Sequence, residues 1–164
     1  MNSRNHPRYR PQLDVLEDRF APAAPTRVEP PSTLPEPFLL PAGTCPFPVQ
    51  VTFLADKEKT TTFSDKDGNQ VRSIQTGTLK VQLTNLDTGQ TLNLNISGPQ
   101  VSYPDGTSIT RGPWLFFFPP DNTQGQEAGL ILIHGRTEYT ADSFSVLSGN
   151  VQDVCAALDA TSAS

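Results

Sequence analysis

From Phe47 onward, hydrophobic and polar residues alternate in short runs separated by turn-forming clusters. In "FPVQVTF" (47–53), Val49, Val51 and Phe53 share one side of an extended strand, because successive strand side chains point to opposite faces. "EKTTTFS" follows, "DKDGNQ" (65–70) carries the turn pair Asp67-Gly68, and "QVRSIQT" leads back. The clearest hairpin is "TLKVQLTNLDTGQTLNLNIS" (78–97). Leu79, Val81 and Leu83 face one way, Asp87-Thr88-Gly89 turns the chain, and Leu92, Leu94 and Ile96 face back. Lys80, Gln82, Asn93 and Asn95 occupy the other side, the period-two signature of a sheet with one wet face.

The pattern continues to the end of the chain. "QVSYPDGTSITRG" (100–112) reads as a hairpin around Pro104-Asp105-Gly106, and "PWLFFFPP" (113–120) as a short aromatic run, apolar on both faces. "DNTQGQEAG" forms a loop, and "LILIHGRTEYT" and "DSFSVLSG" supply two more strands. "NVQDVCAALD" places Val151, Val154 and Leu158 at helical spacing and fits either a short helix or a last strand. No 12-residue stretch here has convincing helical periodicity. The fold class predicted is all-β, an antiparallel sandwich or barrel of about eight to ten short strands.

Composition places the boundaries. Nine of the 16 prolines fall between Met1 and Gly43, so residues 1–44 read as a disordered arm, 45–158 as a single β domain and 159–164 as a tail. Arg4, Arg8, Arg10, Arg19 and Arg27 balance Asp14, Glu17, Asp18, Glu29 and Glu36, which leaves the net charge of -5 to the rest of the chain. An acidic domain repels phosphate backbones, so nucleic acid is excluded as the expected partner. No apolar run reaches the roughly 18 residues of a transmembrane helix. Nor does any run near Met1 reach the roughly 7 to 15 residues of a secretory signal core.

Cys45 opens the predicted domain and Cys155 closes it. They either form a bridge across the whole domain or stay two buried thiols in a reducing compartment. Placement at both boundaries favours the bridge. Without a CxxC, and with His6 and His134 isolated, no zinc site is predicted.

Candidate chemistry is sparse. Asp65-x-Asp67-x-Asn69 resembles a fragment of a calcium loop, but Gly68 comes too early and no glutamate closes it, so a hairpin turn is the plainer reading. His134, Arg136 and Glu138 are the one cluster with acid–base and anion-binding types, although a lone strand histidine is more often a packed residue. No nucleophile elbow, phosphate-cradling glycine loop or HExxH helix is present, so neither catalytic residues nor a cofactor are predicted. Trp114, Phe116 and Phe118 are candidate ligand contacts, since exposed aromatic rings stack on sugar C–H faces, against the alternative that they form core.

Two resemblances add to this. "LDVLEDRFAPA" (13–23) resembles the LEDR/LEPR-type amino-terminal sorting segment of exported planctomycete proteins, through Leu16, Glu17, Asp18 and Arg19 followed by Pro22-Ala23. The stretch from "CPFPVQV" through "LTNLDTG" to "DVCAAL" is similar to small secreted bacterial proteins best known from actinobacteria. The matching positions are Cys45, Phe47-Pro48, Leu83 to Leu86, Thr88-Gly89 and Asp153-Val154-Cys155. That resemblance implies secretion and a Cys45–Cys155 bridge, and it brings no catalytic residues.

The expectation is therefore an exported or surface-associated, non-enzymatic β domain acting as a binding or structural module. Its expected partners are envelope polysaccharide or a small apolar ligand. The alternatives are an apolar-ligand β-barrel and, behind it, a secreted hydrolase centred near His134.

Overall fold

A computed structural model describes residues 24–160. It contains β1 (Thr26–Val28), β2 (Phe38–Leu39), β3 (Val49–Asp56), β4 (Lys59–Ser64), β5 (Gln70–Thr76) and β6 (Leu79–Asn85). Then come β7 (Thr91–Asn95), β8 (Gln100–Ser102), β9 (Ser108–Phe118), β10 (Gly129–Tyr139), β11 (Phe144–Asp153) and the helix α1 (Val154–Ala160). The strands form two antiparallel sheets in a sandwich-like arrangement. One has seven strands in the order β1-β4-β5-β8-β9-β10-β11, the other four in the order β2-β3-β6-β7. The fold is all-β, as the alternation predicts. No described helix is long and apolar enough to cross a membrane.

The arm predicted for residues 1–44 is corrected in its second half. Thr26–Val28 pairs with β4 and Phe38–Leu39 with β3, each as the outermost strand of its sheet. These two strands take the count to eleven among the described residues. Proline lacks the N–H for a two-sided ladder, but an edge strand pairs on one side only. The proline-free runs Thr26–Glu29 and Phe38–Leu40, four and three residues long, are thus long enough to dock. An exposed Lys59–Glu29 ion pair at 3.0 Å lies beside β1. The carboxyl end is corrected too, since Asp159 belongs to α1.

The core follows the predicted faces. Val51 stands opposite Leu83 and Phe53 opposite Val81, while Leu92 and Leu94 stand opposite Leu83 and Val81 from the other side. Val49, Val51, Val81 and Leu83 are buried against Leu130 and Leu132 of the larger sheet. Val154 and Leu158 complete the cluster from α1, so the ambiguous end of the chain resolves as a helix packed on the core.

The sequence reading separates "SITRG" from "PWLFFF", yet both lie in one 11-residue strand, β9. Gly112 pairs with Gly135, and Gly135 with Gly149, so glycines line up across β9, β10 and β11. Gly112 and Gly149 have φ of 80° and 110°, a region open to glycine and strained for other residues. A β-bulge beside this row, between Arg136 and Thr137, adds further bend. The result is a sharp fold across three strands. Extended, β10 would hold its ends about 35 Å apart. Instead the loops at its two ends touch: Thr123 Oγ1 donates to the Ala141 carbonyl at 2.6 Å, and Gln124 Nε2 to the Thr140 carbonyl at 2.7 Å.

A side chain at Gly135 would collide with the Ser148 carbonyl and the Gly149 backbone, neither of which can swing aside. Gly135→Ala is expected to cost about 3 kcal/mol, the upper range for overpacking, and to lower the melting temperature by roughly 10 °C. Gly129→Ala on the same strand, where the nearest atom to a new Cβ is 3.9 Å away, should stay within about 0.5 kcal/mol of the parent in denaturant titrations.

Candidate functional site

Cys45 and Cys155 form a disulfide with Cα atoms 5.6 Å apart across a separation of 110 residues. Cys45 lies on the approach to β3 and Cys155 in the first turn of α1, so the bond joins the smaller sheet to the element that follows the larger one. Asp153 holds the helix in place, its Oδ1 accepting from the Ala156 N–H at 2.9 Å as an N-cap. Both sulfurs are buried beside a surface groove of about 570 Å³ lined by Phe47, Leu130 and Val151 among others. In the chain-entropy picture a closed loop of this length stabilises by about 4 to 5 kcal/mol.

The even-numbered residues of the aromatic run turn into the fold of the larger sheet. Phe144 lies edge-on to both Phe116 and Phe118 with ring centroids 4.9 Å apart, and Tyr139 meets Phe116 at 5.6 Å. Phe118 is only 3% exposed and offers no face to an external ligand. Trp114 is half-buried against Gly98, where a Cβ would overlap the indole ring, and its Nε1 is buried without a partner. Trp114, Phe116 and Phe118 line neither this groove nor the two at Arg136 and between Leu39 and Val49. Leu115 points the other way, onto the core between the sheets. The run is apolar on both faces because Leu115 meets the core on one and the even-numbered rings fill the fold on the other, while Phe117, beyond Leu115, is exposed.

Beyond the rings, polar side chains bond across β8, β9 and β10. Tyr139 donates to Gln100 Oε1 at 3.1 Å, Gln100 Nε2 donates to Ser102 Oγ at 2.8 Å, and Ser102 shares a hydroxyl bond with Ser108. Thr110 and Thr137, both fully buried, bond hydroxyl to hydroxyl. Burial raises the Tyr139 phenol above its ordinary value, against the lowering bonds from Ser108 and Gln100. Nearby, Gln75, which pairs across with Gln100, donates to Glu58 Oε2 at 2.8 Å. Burial also raises the Glu58 carboxyl, the Gln75 bond lowers it, and Asp56 raises it again. None of these groups pairs a nucleophile with a base, so their evident work is to satisfy buried polar atoms.

His134, Arg136 and Glu138 alternate along β10 and are all exposed. Gly135, on the bend, lies between the first two, and the His134 side chain has no hydrogen-bond partner among the described residues. A catalytic base needs an orienting partner, and none is in place here. Arg136 instead lines a groove of about 350 Å³ with Arg72, Arg111 and Tyr103. Sequence reasoning missed Arg72, Arg111 and Tyr103. The available signal was that Arg72, Arg111 and Arg136 are the only arginines after Arg27.

The Asp65 segment is a hairpin turn between β4 and β5. Asp65 Oδ1 accepts from the backbone N–H groups of Asp67 and Asn69, both at 2.9 Å. The Asn69 side chain and then its backbone hold the exposed Asp65 carboxyl below the usual range. Its oxygens are thus already engaged by the loop itself. Leu16, Glu17, Asp18 and Arg19 lie outside the described residues. A third groove, about 320 Å³, lies between Leu39 and Val49. No protein-family model, curated protein or solved structure matches this chain.

Two measurements follow. Reduction, or Cys155→Ser with Cys45→Ser, should lower stability by about 4 kcal/mol and the melting temperature by on the order of 10 °C, read by calorimetry. For Glu58, the folded state binds its proton more tightly than the unfolded state. Its contribution is therefore full below the ordinary glutamate value and is lost as pH rises towards the raised folded value. Glu58→Gln should remove that slope and leave the protein at least as stable as the parent at pH 7, in denaturant titrations across mildly acidic pH.

Proposed function

We propose that the protein is an exported or surface-associated, non-enzymatic β domain that works as a binding module outside the cytoplasm. The disulfide between Cys45 and Cys155 carries this reading, because such bonds persist in oxidising compartments and are rare in a reducing cytosol. The sorting role of Leu16 to Arg19 belongs to the same proposal and rests on the LEDR resemblance. Binding is favoured over catalysis because His134 stands without an orienting partner, while grooves open on the surface. The apolar-ligand alternative draws no support from the sheet interface, which Val49, Val81, Leu83, Leu130 and Leu158 fill.

The reading is tested on protein isolated from its native source under alkylating, non-reducing conditions. Intact mass should show no alkyl adduct before reduction and two after it. Two adducts before reduction would contradict an oxidising location.

A further inference from the structure

Three arginines follow Arg27 in the sequence, and all three line one groove. They come from separate strands, Arg72 from β5, Arg111 from β9 and Arg136 from β10. The four lysines, Lys57, Lys59, Lys66 and Lys80, line none of it. Arg111 and Arg136 are direct cross-strand partners. Like charges placed opposite each other on antiparallel strands repel, with Cβ atoms about 5 Å apart. Neither arginine has an ion-pair partner among the described residues, although the chain carries more acids than bases. Glu138, the acid nearest along β10, stands opposite Ile109 and is paired with neither. Asp105, in the β8–β9 turn, accepts from the Thr107 N–H instead. Arg72 is stacked on the Phe63 ring at 4.9 Å.

The fold thus maintains an unneutralised cationic pair in an acidic protein, where folding alone would favour a carboxylate between the two. Pro99, Val101, Ile109 and Tyr103 complete the lining of the groove, and Tyr103 is 38% exposed. Guanidinium forks bind oxyanions in bidentate fashion, and a tyrosine face suits the C–H side of a sugar ring. About 350 Å³ lies at the small end of ligand sites, room for one or two rings.

We propose that this groove binds an acidic saccharide, with its carboxylate between Arg111 and Arg136 and its ring against Tyr103. The proposal rests on the reading of the protein as an exported binding module and names the ligand class of that module. The net charge of -5 disfavours a long, uniformly charged chain, so the ligand is a short acidic unit or a chain bearing isolated acidic residues.

The test measures binding of digalacturonate, inorganic sulfate and neutral cellobiose to the disulfide-intact protein by calorimetry and thermal shift. The variants are Arg111→Gln with Arg136→Gln, Tyr103→Ala, and Lys80→Gln as a control for loss of one positive charge. Digalacturonate should bind the parent and Lys80→Gln alike, more tightly than sulfate, while cellobiose should not bind. The double arginine variant should lose at least tenfold in affinity and Tyr103→Ala several-fold. Unliganded, the double variant should melt no lower than the parent, because the repulsion is relieved. A lower melting temperature would make the arginines structural and overturn the site. Binding that survives the arginine substitutions overturns this groove while leaving a binding module elsewhere on the surface. Absence of digalacturonate binding to the parent, sulfate binding as tight as digalacturonate, or equal binding of cellobiose overturns the ligand class. The compartment is judged separately by the thiol measurement.

Discussion

The structure turns on three glycines in register, Gly112, Gly135 and Gly149, where three adjacent strands fold sharply. A flat antiparallel sheet of 11-residue strands would leave the aromatic face of β9 in water. Folding the strands lets Tyr139 and Phe144, from one end of β10 and β11, close over Phe116 and Phe118 near the other. Only residues without a Cβ allow the approach, because a side chain at Gly135 or Gly149 would enter the neighbouring backbone. The fold therefore gives the larger sheet a small interior of its own, separate from the core shared with the smaller sheet. Its other face carries both that shared core and the arginine groove.

The second constraint is covalent. The bond from Cys45 to Cys155 fixes α1 against the smaller sheet, while Val154 and Leu158 bury their side chains in the shared core. The helix has only seven residues, too few for stability in isolation. The Asp153 cap, the disulfide and the packing of its apolar side together hold it.

Much of this was legible in the sequence where a sheet has one wet side. The faces of β3, β6 and β7 follow from alternation alone, because Lys80, Gln82, Asn93 and Asn95 mark the solvent side. The ends of the disulfide were legible from their positions. What was not legible is non-local. Gly112-Pro113 reads as a break between two strands, and only its register with Gly135 and Gly149 makes it a bend within one. The short strands at Thr26–Val28 and Phe38–Leu39 are set between prolines and carry no period of their own. For the candidate site, Arg136 was singled out but its neighbours were not. Arg72 and Arg111 reach it only through the strand order β5-β8-β9-β10, which local spacing does not encode. The aromatic run left its two roles open because a run of apolar residues describes a strand packed into an interior as well as a stacking platform.

The doubled-over sheet is the central feature of the fold, and ring-to-ring nuclear Overhauser effects examine it most directly. On aromatic-labelled protein, Phe144 should show strong cross-peaks to both Phe116 and Phe118, and Tyr139 to Phe116. A spectrum in which Phe144 sees its strand neighbours but neither Phe116 nor Phe118 would mean that the sheet runs straight through the glycines and encloses no aromatic interior.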